Sequence, residues 1–234
     1  MNKARLKART LVLLAFLVFA LPCALHAQDH DQDLDENSKI NTNLGFALSA
    51  PLNPLAQNTN FGWGFEVGAG YNFSSRHAIV GEFLWNRLQP TQEVLTPIRV
   101  ALNTANVNGH GNLYAWTANY RYELRGRSLG AYVIAGGGFY YRNAHLSKSI
   151  TTGVSASCTP AWLWWGFVCS SGQVSSDQTL ASSASGAFGV NGGMGFTVKV
   201  DEPRYRFYVE ARYHYAPNSR VNTQLIPISI GIRF

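Results

Sequence analysis

The chain has 234 residues, 46% of them hydrophobic and 14% charged, with a formal net charge of +6. That length suits a single all-β domain and leaves no room for a second sizeable one, and no run of about eighteen apolar residues marks a transmembrane helix. Four positive charges, Lys3, Arg5, Lys7 and Arg9, sit at the very start, and the rest of the chain sets 15 Lys+Arg against 13 Asp+Glu, a balance that argues against nucleic-acid binding.

The basic start leads into an apolar core at residues 11–21 that is too short to span a bilayer. Ala24-Leu25-His26-Ala27 then offers small residues for cleavage before Gln28, so residues 1–27 read as a signal peptide. Pro22 precedes Cys23 where a lipid-anchor signal places a small residue, so no lipid anchor is expected. Residues 28–38 are acidic, with Asp29, Asp31, Asp33, Asp35 and Glu36, and show no hydrophobic period. This predicts a disordered periplasmic tail. The stretch lacks the glycine turn and final glutamate of a calcium loop, and no metal or cofactor is expected anywhere.

Residues 39–234 carry period-two patterning. Strand one, about 39–50, alternates Ile40, Thr42, Leu44, Phe46 and Leu48 on one face, and Pro51, Asn53 and Pro54 break it. Strand two sets Phe61, Trp63, Phe65, Val67, Ala69, Tyr71 and Phe73 against Gly62, Gly64, Glu66, Gly68, Gly70 and Asn72. After a turn at Ser74-Ser75-Arg76-His77, strand three opposes Ile79, Gly81, Phe83 and Trp85 to Val80, Glu82, Leu84 and Asn86. A long loop is predicted at 89–111. Strand four alternates Tyr114, Trp116, Ala118, Tyr120 and Tyr122 with Ala115, Thr117, Asn119, Arg121 and Glu123, and Arg125-Gly126-Arg127-Ser128 turns back. Strand five spans about 129–142, but its Gly136-Gly137-Gly138 run leaves the register open. The longest loop is predicted at 143–184 and holds Cys158 and Cys169. Strand six carries Phe188, Val190, Met194, Phe196 and Val198 on one face, and Asp201-Glu202-Pro203-Arg204 turns. Strand seven opposes Phe207, Val209, Ala211, Tyr213 and Tyr215 to Tyr208, Glu210, Arg212 and His214. Strand eight ends the sequence with Ile226, Ile228, Ile230, Ile232 and Phe234 in alternation.

Eight strands with connections alternating long and short predict an antiparallel up-and-down transmembrane β-barrel. One face is Trp, Phe, Tyr, Ile and Val; the other is mostly Gly, Ala, Ser, Thr and Asn with scattered charges. An eight-stranded interior is only wide enough for side chains to fill. The bulky face therefore belongs outside, against lipid, which excludes a soluble lipocalin-type barrel.

Gly70-Tyr71-Asn72-Phe73, Asn119-Tyr120-Arg121-Tyr122, the Gly136–Gly138 run, the stretch 188–193 and the terminal Gly231-Ile232-Arg233-Phe234 carry a family resemblance. On these residues the chain resembles small Gram-negative outer-membrane barrels of the OmpA/OmpX type, and more closely the porin family of outer membrane β-barrel domain proteins. The resemblance implies export through the periplasm to the cell outer membrane, with outer-membrane lipids and the barrel assembly machinery as partners. It also implies that the terminal Phe234 is the assembly signal. The chain departs from outer membrane protein A in ending at the barrel.

Three groups of residues are candidates for function. Glu66, Glu82, Arg121, Glu210 and Arg212, with Glu123 and Arg233, fall on the inward register, where buried charges require partners. They predict a paired lumen network, serving either as structural glue in a plugged barrel or as a gate on a narrow ion path. Cys158 and Cys169 are the cysteines left after processing in an oxidising compartment and are expected to form a disulfide. Between them lie Trp162, Trp164 and Trp165, an aromatic knob suited either to a surface ligand reached through residues 143–184 or to the lipid interface. Lipid A deacylases are barrels of this size that carry a serine two residues after a histidine. Here His214 is followed by Tyr215 and Ala216, so the nucleophile is missing and no enzyme activity is expected. A surface-interaction or structural role is the first expectation, and a low-conductance pore or small-ligand channel the second.

Overall fold

The computed structural model describes residues 39–126, 128–162, 166–199, 205–219 and 221–234, with backbone alone over 151–175. The expected signal peptide and acidic tail lie outside the described residues. The elements are β1 (Ile40–Pro51), β2 (Gly62–Asn72), β3 (His77–Leu88), α1 (Gln92–Ala101), β4 (Val107–Arg125), β5 (Leu129–Trp162), β6 (Gly166–Lys199), β7 (Arg206–Ala216) and β8 (Thr223–Arg233). Each strand pairs antiparallel with the next, and β8 pairs with β1, closing a ring of eight. The closing seam runs from Asn43 opposite Arg233 to Pro51 opposite Leu225. Phe234 adds a further rung, exchanging backbone bonds with Thr42 at 2.7 and 2.9 Å. Closure leaves the ring without a free edge, so its backbone groups are satisfied within the sheet.

The alternation read from the sequence sorts cleanly between the two faces. Leu44, Phe46, Phe65, Val133, Phe207 and Ile230 are exposed on the outside, while Asn41, Glu66, Asn119, Glu210 and Arg212 are buried within. Outward aromatics form a band toward the end with the long connections. Trp63 meets Trp85 edge-on at 5.2 Å, Phe83 meets Trp116 at 5.4 Å, and Phe139 meets Phe188 at 5.6 Å. A second group lies toward the opposite end, where Tyr71 packs on Phe73 and Tyr205 on Phe234. Two aromatic girdles flanking an apolar band are what a membrane-spanning barrel requires.

The register of β5, open in the sequence, is settled by packing. Tyr132, Ile134 and Tyr140 are buried inside, while Val133 and Phe139 face out. A Cβ at Gly138 would collide with the Trp116 carbonyl, so glycine is needed where β5 presses against β4. The inner face also carries bulk, on the β7 face that the sequence groups with Glu210 and Arg212. Tyr208 is fully buried, in the space left by Gly45 and Gly231, at each of which a Cβ would strike its ring or hydroxyl.

Two predicted loops are corrected. The stretch 143–184 is largely strand, because β5 and β6 are each 34 residues long and pair from Leu129 opposite Val198 to Trp162 opposite Gly166. In the sequence the apolar alternation stops well before the strands end. Alternation reflects contact with lipid, whereas the ladder is held by backbone bonds and continues without it. The stretch 89–111 holds α1 and the first residues of β4. Thr91 stands at the helix N-cap and Glu93 in its first turn, where an acidic side chain meets the positive end of the helix dipole.

Candidate functional site in the barrel lumen and above it

Four of the five network residues meet at mid-barrel. Arg212 on β7 pairs through Nη1 with Glu82 of β3 at 2.5 Å, and its Nε donates to Glu210, two residues earlier on the same face, at 2.6 Å. Glu82 also accepts from Asn119 at 2.5 Å and Asn43 at 3.2 Å. The Tyr132 hydroxyl donates to Glu210 at 2.8 Å. Glu66 completes the layer by accepting from Tyr208 at 2.6 Å and Ser229 at 2.9 Å. Three carboxylates thus surround one guanidinium, with neutral donors meeting the remaining lone pairs.

Arg121 is not in that layer. It pairs instead with Glu123, at 3.6 Å, nearer the end with the short turns. The same Glu123 oxygen is approached by Arg125 at 3.3 Å and Arg233 at 3.4 Å, while the other oxygen accepts from Thr197 at 3.3 Å. Arg233 also lies over the rings of Tyr132 and Tyr208, at 4.7 and 5.3 Å. This second layer reverses the first, with three guanidinium groups around one carboxylate. The lumen therefore stacks an anion-rich layer on a cation-rich one.

Toward the long connections the interior turns apolar. Ala47, Leu84, Leu113, Ala115, Tyr140 and Leu225 pack together. His214 is buried beside them, its Nδ1 2.9 Å from the Tyr140 hydroxyl. The sequence reading missed Tyr132, Tyr140 and Tyr208 as lumen partners. Tyr208 could have been found, since it shares the β7 face with Glu210 and Arg212, but Tyr132 and Tyr140 lie on the strand whose register the glycine run concealed.

Above the barrel, Cys158 and Cys169 are direct cross-strand partners. Trp162 is described by its backbone only, and Trp164 and Trp165 lie outside the described residues. Beside the barrel mouth, His110 and His145 oppose one another on β4 and β5 with ring centroids 5.5 Å apart. Desolvation, with the nearby charges of Arg87 and His145, holds His110 below the usual histidine range.

The sequence profile of the family described as outer membrane protein beta-barrel domain matches residues 11–234. No curated protein gives a significant match. Among solved structures, the chain is similar to Ail, the attachment invasion locus protein of Yersinia pestis, determined with the heparin analogue sucrose octasulfate. The identity is 16%, with 83% of this chain and 97% of that one covered and a TM-score of 0.44. Neisserial surface protein A is 14% identical, with 83% and 94% covered and a TM-score of 0.43. The N-terminal β-barrel domain of Pseudomonas aeruginosa OprF is 12% identical, with 84% and 98% covered and a TM-score of 0.40. With a profile match over nearly all of its length and an eight-stranded closed ring, the chain belongs to the outer membrane protein β-barrel domain family and resides in the cell outer membrane.

Proposed function

We propose that this protein is a surface-interaction barrel: a closed, side-chain-filled cylinder that anchors a projecting hairpin. The observation that carries this reading is the length of β5 and β6, which leave the ring and continue as a pair well beyond every other strand. The lumen supports it, since two ion-paired layers and an apolar layer fill the cross-section that eight strands enclose. In this reading Cys158 and Cys169 form a disulfide that fixes the aromatic knob of Trp162, Trp164 and Trp165, and the knob is the contact surface. Outer-membrane lipids surround the two girdles, and Phe234 is presented to the assembly machinery. The reading assigns no catalytic role to His214, which has a tyrosine partner and is followed two residues on by Ala216 in place of a serine.

The test has two arms. In planar bilayers the purified barrel should give no conductance steps. Replacing residues 149–176 by a two-residue turn should leave a heat-modifiable barrel in the outer membrane but abolish adhesion to cell layers and extracellular matrix. Undiminished adhesion would sink the hairpin as contact surface. Regular conductance steps would instead favour the second reading, a low-conductance pore, which the charged lining of the two lower layers supports.

A further inference from the structure

Where the lumen opens toward the surface, the apolar layer gives way to a cavity of about 780 Å3. That is the size of a small-molecule site. Leu95 and Ile98 of α1 form one wall, Leu113 lies in the floor, and Ser185 of β6 and Thr223 of β8 stand opposite. Arg142 of β5 is also in the lining. Its Nε donates to Ser185 Oγ at 2.7 Å and its Nη1 to Thr223 Oγ1 at 3.2 Å.

Arg142 differs from the arginines deeper in the barrel. Arg121, Arg125, Arg212 and Arg233 each pair with a glutamate. Among the described residues no carboxylate faces Arg142; two neutral hydroxyls orient it, and its charge is left uncompensated. Arg142 is part-buried, so water screens its charge less than it would on an open surface. A planar fork of donors held in place suits an oxyanion.

The cavity is also built in advance. Asn60 donates from its backbone to Gln89 at 2.8 Å and Thr91 to Asn58 at 3.0 Å, joining the first two long connections. Arg99 of α1 donates to the Val107 carbonyl through Nε and Nη2, at 3.3 and 3.0 Å, which fastens the helix to β4. A ligand would not have to order these segments on entry, which spares it that entropic cost.

We propose that the mouth cavity binds a small amphipathic anion, with its acid group on Arg142 and its apolar body against Leu95 and Ile98 of α1. Sulfonate, sulfate ester, phosphate monoester and carboxylate share the required chemistry. The site is independent of whether the hairpin adheres or the lumen conducts.

The test uses the full chain in phosphatidylcholine nanodiscs, with naphthalene-2-sulfonate titrated by calorimetry and neutral naphthalene-2-sulfonamide as its control. The sulfonate should bind one to one and at least tenfold more tightly than the sulfonamide. Arg142→Gln should bring the sulfonate down to the level of the sulfonamide, and Ile98→Gln should weaken both. In discs that also contain phosphatidylglycerol, suppressed titration would assign the site to a lipid headgroup, and unchanged titration to a soluble acid. Equal affinity for sulfonate and sulfonamide, or no saturable binding of either, overturns the proposal on the unaltered protein, whether or not the variants fold. Undiminished sulfonate binding by Arg142→Gln overturns it too.

Discussion

Arg212→Ala is the sharpest test of the mid-barrel layer. Arg212 holds Glu82 at 2.5 Å and Glu210 at 2.6 Å, and all three side chains are nearly inaccessible. Removing one partner from a buried pair costs about 3–5 kcal/mol, because the other charge remains without compensation. Here one truncation strands two carboxylates. With the guanidinium gone their charges repel each other, by roughly 3 kcal/mol if two like charges are taken as about 5 Å apart at an effective dielectric near 20. Water entering the vacated space returns part of that, so the expected loss is about 4–5 kcal/mol. Reversible urea unfolding in phosphatidylcholine vesicles, followed by tryptophan fluorescence, measures it. The electrostatic origin is checked by adding Glu82→Gln and Glu210→Gln to Arg212→Ala. The amides carry no charge, and Asn43, Asn119 and Tyr132 still reach them, so more than half of the loss should return. A loss below about 1 kcal/mol, or a triple variant no more stable than the single one, would refute the reasoning.

Three further outcomes follow from the geometry. Deleting Phe234 removes both backbone bonds to Thr42 and the ring contact with Tyr205; the yield of heat-modifiable barrel in the outer membrane should fall sharply, and a normal yield would contradict its role in closure. Cys158 and Cys169 face each other across β5 and β6, and directly opposed residues of an antiparallel pair have Cα atoms about 4.5–5.5 Å apart, within bridging range; mass spectrometry with and without reductant should show a mass difference of two hydrogens, and two free thiols in native protein would exclude the bridge. His110 is held low by desolvation and by Arg87 and His145, so below the ordinary histidine range the unfolded chain binds more protons than the folded one. Pairing of β4 with β5 beside the mouth should therefore be at full strength above about pH 6.5 and weaken as pH falls through the depressed value. Protection factors at residues 107–112, taken relative to intrinsic exchange at each pH, should fall on acidification, and His110→Gln should flatten that response.

The closed ring and the two faces were legible because lipid contact imposes alternation directly on the sequence. Glu66, Glu82, Glu210 and Arg212 could be assigned to the lumen from their own strands alone. Which of them meet could not, because partner choice depends on the stagger between strands: the β3–β4 register sets Glu82 opposite Thr117, four residues from Arg121, whose partner is Glu123 on its own strand. Gly136–Gly138 hid Tyr132 and Tyr140 for a different reason, since glycine marks neither face. Helix α1 left usable signs in Thr91, Glu93 and the spacing of Leu95 and Ile98. The long hairpin left few, since nothing outside the bilayer demands a greasy face. Arg142 went unremarked because a single arginine past the last aromatic of a strand looks like any solvated charge. Only the arrangement of Ser185, Thr223 and α1 around it sets it apart.

The paired extension of β5 and β6 has a geometric consequence. β4 accompanies β5 only as far as Val107 opposite Lys148, with one further backbone bond from Ser149 to Asn106, so residues 149–162 rise with β6 as their only strand partner among the described residues. At about 3.3 Å per residue those fourteen positions carry the ribbon roughly 46 Å beyond the point where β4 leaves it. Such a mast sets how far from the lipid headgroups the tip can act, and its height is quantised. Adding two residues to each strand lifts the tip by about 7 Å and keeps every side chain on its own face, whereas adding one to each turns the tip's faces over. Height and facing could therefore be tuned separately, without any change to the cylinder below.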